Sequence, residues 1–220
     1  MKTKIIPVIH YQDNDQAIRN AERASAAGCD GVLLIEMNGS NTRLVPMAQE
    51  IKTQWPDLLV GVNHLGLDPS RSLAVNLAAD LDMTWTDMQP THTEFPDDEL
   101  KKRLSRQLRG KSHHLFVGVA FKHQRHEPDP VASARDAVTR GFIPTTSGPA
   151  TGIAADPSQI ARLRRGIGPE APLGIASGIT PGNFAMFAPH LSHVLVATGI
   201  SSSFYELDEG LLAELISENG

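Results

Sequence analysis

Cysteine is nearly absent from this chain of 220 residues, Cys29 being its single copy. A lone thiol excludes an intrachain disulfide framework and any cysteine-rich zinc site. No apolar run approaches the ~20 residues needed to span a bilayer. The opening Met1-Lys-Thr-Lys-Ile-Ile-Pro lacks the apolar stretch and small-residue cleavage site of a secretory signal. An excess of positive charge is also missing. Lys and Arg number 20 against 25 Asp and Glu, a formal net charge of -5, which argues against nucleic acid or an anionic membrane as the main partner. What remains is 40% hydrophobic and 20% charged, an ordinary globular composition. The expectation is a soluble, cytoplasmic protein of one domain, residues 1–220. A homo-oligomer is compatible with this reading.

The chain repeats one pattern: a short apolar strand, a polar loop, an amphipathic helix. Strand candidates fall at residues 5–10, 31–37, 58–63, 83–89, 115–122, 142–147, 173–177 and 194–198. Several are apolar throughout, as parallel strands buried on both faces require. Helix starts are marked by Asp68-Pro69, Asp129-Pro130, Asp156-Pro157 and Thr180-Pro181. In each, a side-chain oxygen caps a free N–H and proline takes a position that needs none. Gly110, Gly141 and Gly168 fall where helices should stop. Residues 207–216 read as the last helix. Eight such units predict a (β/α)₈ barrel. The alternative, an open doubly wound sheet, lacks its Gly-rich fingerprint after the first strand.

In such barrels the strand C-termini form the active face, and here they end in polar residues. Among them are His10, Glu36, Asn63, Asp87 and Lys122. Period-two alternation puts Gly118, Ala120 and Lys122 on one face of the fifth strand, with Val117, Val119 and Phe121 on the other. The small face is expected inward, leaving Lys122 at the barrel mouth to bind an anion, act as base or form a Schiff base; a lysine merely reaching solvent is the bland alternative. Glu36 and Asp87 are candidates for an acid/base pair or for orienting other polar groups. The sequences Ser177-Gly178-Ile179-Thr180-Pro181 and Thr198-Gly199-Ile200-Ser201-Ser202 resemble a phosphate cradle, each followed by an expected helix start. The loop from Thr146 through Gly148 to Thr151 either closes over substrate or is a tight turn. His92, His113, His114, His123 and His126 form no recognisable ligand set, so neither metal nor cofactor is expected. Cys29 is expected to be a buried small residue at the opposite end.

Several of these segments together resemble the BtpA family of barrels, named for a photosystem I biogenesis factor and related to phosphoribosylanthranilate isomerase-like barrels. They are Val8-Ile9-His10, Ile35-Glu36-Met37-Asn38-Gly39, Gly61-Val62-Asn63-His64-Leu65, Lys122-His123, Gly148-Pro149-Ala150-Thr151-Gly152 and the two cradle loops. The resemblance implies a (β/α)₈ fold with a phosphate-type site and adds His123 to the candidate binding residues. Departures from the family pattern lie at Tyr11–Asp15, Gly118 and Thr86-Asp87-Met88-Gln89. Isomerase chemistry on a phosphoribosyl substrate does not carry over, because His10 stands where cysteine would be needed. Two functions follow as expectations. The first is an enzyme, an isomerase or lyase, acting on a small phosphorylated metabolite. In it Lys122, Glu36, Asp87 and His10 are catalytic, while Asn63, His123, Thr146, Gly148, Thr151, Ser177, Gly178, Thr198, Gly199 and Ser201 bind substrate. The second is a non-catalytic assembly or regulatory protein on the same scaffold.

Overall fold

The computed structural model describes residues 2–220. Eight parallel strands close into a barrel in sequence order: β1 Lys4–His10, β2 Gly31–Ile35, β3 Leu59–Asn63, β4 Met83–Thr86, β5 His114–Gly118, β6 Ile143–Thr146, β7 Gly174–Ala176 and β8 His193–Val196. Each is followed by a helix: α1 Asn14–Ala27, α2 Leu44–Gln54, α3 Pro69–Ala78, α4 Asp98–Leu108, α5 Pro130–Thr139, α6 Pro157–Ile167, α7 Pro181–Phe187 and α8 Glu209–Glu218. The expected (β/α)₈ architecture is present.

The four proline-marked helix starts are real. Asp68, Asp129 and Asp156 accept from the N–H of Arg71, Ala132 and Ser158 at 3.0, 3.1 and 2.8 Å. At Thr180 the roles are shared, with Asn183 accepting from the Thr180 N–H at 2.9 Å. Gly110, Gly141 and Gly168 take positive φ angles of 72, 80 and 97° at the helix ends, a region that costs glycine little. The last helix begins at Glu209, capped by Asp208, two residues later than expected.

Strand alternation sorts the core into two layers. Ile6, Val8, Leu33, Met83, Trp85, Phe116, Ile143 and Leu195 fill the lumen. Ile5, Ile9, Val32, Leu34, Val60, Val62, Ile175 and Val194 face the helices. Burying such side chains contributes about 1.5–3 kcal/mol each. Cys29 is buried in the outer layer, and burial pushes its thiol up to about 12.

Several strands end earlier than expected, the second at Ile35, the fourth at Thr86 and the fifth at Gly118, and in the fifth this changes which residues face the lumen. The fifth stops at Gly118, because Ala120 turns into the left-handed region at φ 47° and His123 follows at 60°. The alternation is therefore broken before Phe121. Val117 and Val119 pack outward as anticipated, but Phe121 joins the lumen cluster instead of facing the helices.

Candidate functional site

Three ionisable groups meet at the C-terminal mouth. His10 ends β1, Asp87 follows β4, and Lys122 sits in the turn after β5. Their charges act on one another: Lys122 pushes the His10 pKa down and the Asp87 pKa down, while Asp87 pushes Lys122 up. Burial outweighs these pair effects. It lowers His10, raises Asp87 and lowers Lys122 relative to their ordinary values, each shift favouring the neutral form. Buried Asn63 approaches the Asp87 carboxylate at 3.3 Å and holds it at the mouth.

The tautomer of His10 follows from its partner. Its Nδ1 lies 2.9 Å from the Phe204 carbonyl, and a carbonyl only accepts. Nδ1 therefore carries the proton, and the neutral ring keeps a lone pair on Nε2. The Phe204 ring stacks on the imidazole at 4.2 Å with 4° between planes. Together with Thr198, Ser201 and Ser203 these two residues line a cavity of about 290 Å³.

In the lumen, Trp85 and Phe121 meet edge to face at 6.2 Å. Phe121 is placed by Gln89, whose Oε1 accepts from the Phe121 N–H at 3.1 Å and whose Nε2 donates to the Arg125 carbonyl at 2.8 Å. Ser147 then accepts from the Lys122 N–H at 2.8 Å. The Lys122 ammonium ends 5.9 Å from the Phe121 ring centre. Lys122 thus reaches the mouth by a braced turn rather than by strand alternation.

The cradle loops after β7 and β8 are close neighbours. A Cβ on Gly199 would lie 1.9 Å from the Ile179 carbonyl oxygen, and one on Gly178 would lie 2.3 Å from that of Ile153. These glycines let loop backbones pack together. Among the described residues, the N–H groups of Gly178, Ile179, Thr198 and Gly199 have no backbone or side-chain acceptor. Ser177 is held at φ 98°, with its hydroxyl accepting from the Gly152 N–H at 3.1 Å. The loop after β8 differs from expectation: its cradle segment forms a single 3₁₀ turn at Thr198–Ile200, and no helix begins until α8 at Glu209.

Other candidates, Ser201 beside His10 excepted, have different surroundings. The Glu36 carboxylate accepts from the Ser40 hydroxyl at 2.7 Å and the Asn41 N–H at 3.0 Å, so it braces its own loop. Thr146 pairs in register with Ile175, an outer-layer residue, and so faces the helices rather than the mouth. Gly148 packs on the Ile153 carbonyl, where a Cβ would come to 1.9 Å. Thr151 and His123 are exposed on the β6–α6 and β5–α5 loops, and Ser201 donates to the Ala197 carbonyl at 2.9 Å. His113 and His114 lie at the opposite end, where β5 begins at His114. Phe204, Trp85 and Gln89 were not singled out from sequence. Only Gln89, a polar residue at a strand end, carried a local signal.

No family model matches the chain, and no curated protein matches it. Solved structures do. The chain is similar to a structure described as native KDPGal, at 14% identity and a TM-score of 0.73, covering 99% of this chain and 95% of that one. It is similar to 3-hexulose-6-phosphate synthase, at 12% identity and a TM-score of 0.72, covering 98% and 99%. Phosphoribosyl anthranilate isomerase from Thermus thermophilus aligns at 15% identity and a TM-score of 0.69, covering 98% of each chain. These likenesses establish the barrel fold.

Proposed function

We propose that the C-terminal mouth binds a small phosphorylated metabolite and moves a proton on it, as an isomerase or lyase does. The observation that carries this reading is the convergence of His10, Asp87 and Lys122 beside two loops with unpaired N–H groups. Those N–H groups, from Gly178, Ile179, Thr198 and Gly199, are the phosphate donors. His10 Nε2 is the proton acceptor, and Lys122 stabilises the negative charge that develops on substrate oxygen. Asp87, partly desolvated, balances Lys122 and can return a proton. Two further points support the reading. Two of the similar barrels bear the names of phosphorylated sugars. Among the described residues, four of the five non-glycine residues at positive φ, namely Asn41, Ala120, His123 and Ser177, lie in loops that follow strand C-termini, and such strain concentrates at functional sites.

A panel of phosphorylated metabolites in a thermal-shift assay tests it, since a ligand bound only by the folded state raises the melting temperature. The expected result is stabilisation that Lys122→Ala removes. No stabilisation by any sugar phosphate or by inorganic phosphate would end the proposal.

A second reading, a BtpA-like assembly or regulatory protein, rests on the motif resemblance and on one surface feature. Met37, Met88, Phe95, Ile153 and Phe204 are exposed on loops of this same face, and clustered apolar residues mark interaction surfaces. Ligand binding without turnover of any panel member favours it.

A further inference from the structure

The mouth opens sideways onto a larger space. Between the β5–α5 and β6–α6 loops lies a cavity of about 790 Å³, within the range typical of small-molecule sites. Lys122, Arg125 and Arg162 line it, with Glu127 and Asp156 as its carboxylates.

Both carboxylates already have donors. Glu127 is buried and accepts from the Thr93 N–H at 3.0 Å, the Thr93 hydroxyl and the Asp129 N–H at 2.9 Å. Asp156 caps α6, accepting from the Ser158 N–H and hydroxyl, both at 2.8 Å. The cations have no such partners. Among the described residues, Lys122, Arg125 and Arg162 make no salt bridge, and no carboxylate of the cavity lining pairs with them. Arg125 is oriented only by the Phe95 ring, 3.8 Å beneath its guanidinium. In a chain of net charge -5, three cations against two carboxylates that neutral donors already hold leave this lining net positive, which attracts anions. Lys122 belongs to both spaces, since it faces Asp87 and His10 at the mouth and also lines this cavity.

We infer that the cavity is a second anion site, so that the metabolite bears a second acidic group, a carboxylate or phosphate, at the end remote from its phosphate. Arg162 and Arg125 bind that group, and Lys122 stands between the two ends. This inference rests on the phosphate reading above for the ligand's other end, but the cavity itself can be tested alone.

The test measures, by calorimetry on the full chain, a graded series of short linear ω-carboxyalkyl phosphates. Alkyl phosphates and dicarboxylates of matching length serve as references. A charge-assisted contact predicts that one chain length binds about tenfold tighter than its alkyl phosphate. Arg162→Gln should remove that gain while leaving alkyl phosphate affinity unchanged, and Arg125→Gln should reduce it. Equal affinities at every length, or a gain that survives both substitutions, overturns the inference. If alkyl phosphates fail to bind while dicarboxylates bind in an Arg162-dependent way, the phosphate reading fails and the cavity site stands. If dicarboxylates and carboxyalkyl phosphates alike are indifferent to Arg162, the cavity site is wrong.

Discussion

At the floor of the barrel Lys4, His114 and His193 crowd together, and at the mouth His10, Asp87 and Lys122 do the same. Both groups lie partly or wholly out of water, and in both burial pushes histidine pKa values down. Their surroundings differ. His193 is buried with its ring 5.3 Å from both His114 and Phe116, and Ser192 meets its Nδ1 at 2.7 Å. His113 beside them has both ring nitrogens engaged, by the Leu81 carbonyl and the Thr84 hydroxyl, each at 2.9 Å. The mouth instead sets its ionisable groups beside unpaired loop amides, strained backbone and a cavity that His10 lines. A perturbed pKa is therefore common to a structural end and to a candidate site. What separates the two ends is a cavity that one of the perturbed groups itself lines, His10 at the mouth.

The largest effect should come from the floor, as a matter of stability alone. Burial lowers His193 to about 3 and His113 to about 4, against an ordinary value of 6.5. The folded state thus resists protonation more than the unfolded chain does. Their contribution is intact above about pH 6.5 and is lost as pH falls toward about 3. Urea titrations across that window should show a loss on the order of several kcal/mol beyond what carboxylates explain. His193→Gln should flatten the difference. An identical pH dependence in that variant would mean the floor does not set acid stability.

Next in size is the packing of the mouth loops. Gly199→Ala places a Cβ 1.9 Å from the Ile179 carbonyl oxygen, and we expect about 3 kcal/mol of destabilisation. Gly182→Ala, in α7 with nothing within 4 Å of the added Cβ, serves as the control and should be neutral or slightly stabilising. Equal melting temperatures for the two variants would contradict the close approach of loops 7 and 8.

Lys122→Ala should then separate function from stability. The side chain is half-buried and makes no salt bridge, so its loss should change stability by under about 1 kcal/mol. Affinity for a phosphorylated ligand should fall about 10- to 100-fold, the scale of one charge-assisted contact. Lys122→Arg keeps the charge but not the point-donor geometry and should restore it only in part. Retained affinity in the alanine variant would remove Lys122 from the site.

Much of the scaffold was legible because its signals are local. An Asp-Pro pair, a helix-ending glycine and an apolar strand each act within a few residues. The site was legible only in part. The residues His10, Asn63, Asp87 and Lys122 were readable as polar strand ends. The turn that carries Lys122 was not, because Ala120 adopts a left-handed conformation that alanine does not advertise. Thr146 looked like a mouth residue until strand register showed which face it takes. For Glu36 the sequence left an acid/base role and a positioning role open, and the contacts from Ser40 and Asn41 show the positioning one. Phe204 lies 194 positions from His10, and no local pattern joins them.

The smallest effect concerns that remote pair, and it bears directly on how the two ends differ. At the floor, burial of histidine is built into the lumen. At the mouth, part of it comes from one exposed aromatic ring, Phe204, lying flat on His10. Removing the ring should therefore matter at the mouth without disturbing the core. In Phe204→Ala the backbone carbonyl remains to accept from Nδ1, so the tautomer persists while the imidazole gains water. Desolvation is the main cause of the lowered His10 pKa, so its relief should move that pKa up toward its ordinary value. A ring-proton NMR titration of His10 reads this directly and needs no substrate. His193 in the same spectra should stay where burial puts it. If His10 titrates unchanged in the variant, its burial comes from the barrel itself, and the contrast between a sealed floor and a loop-covered mouth loses its basis.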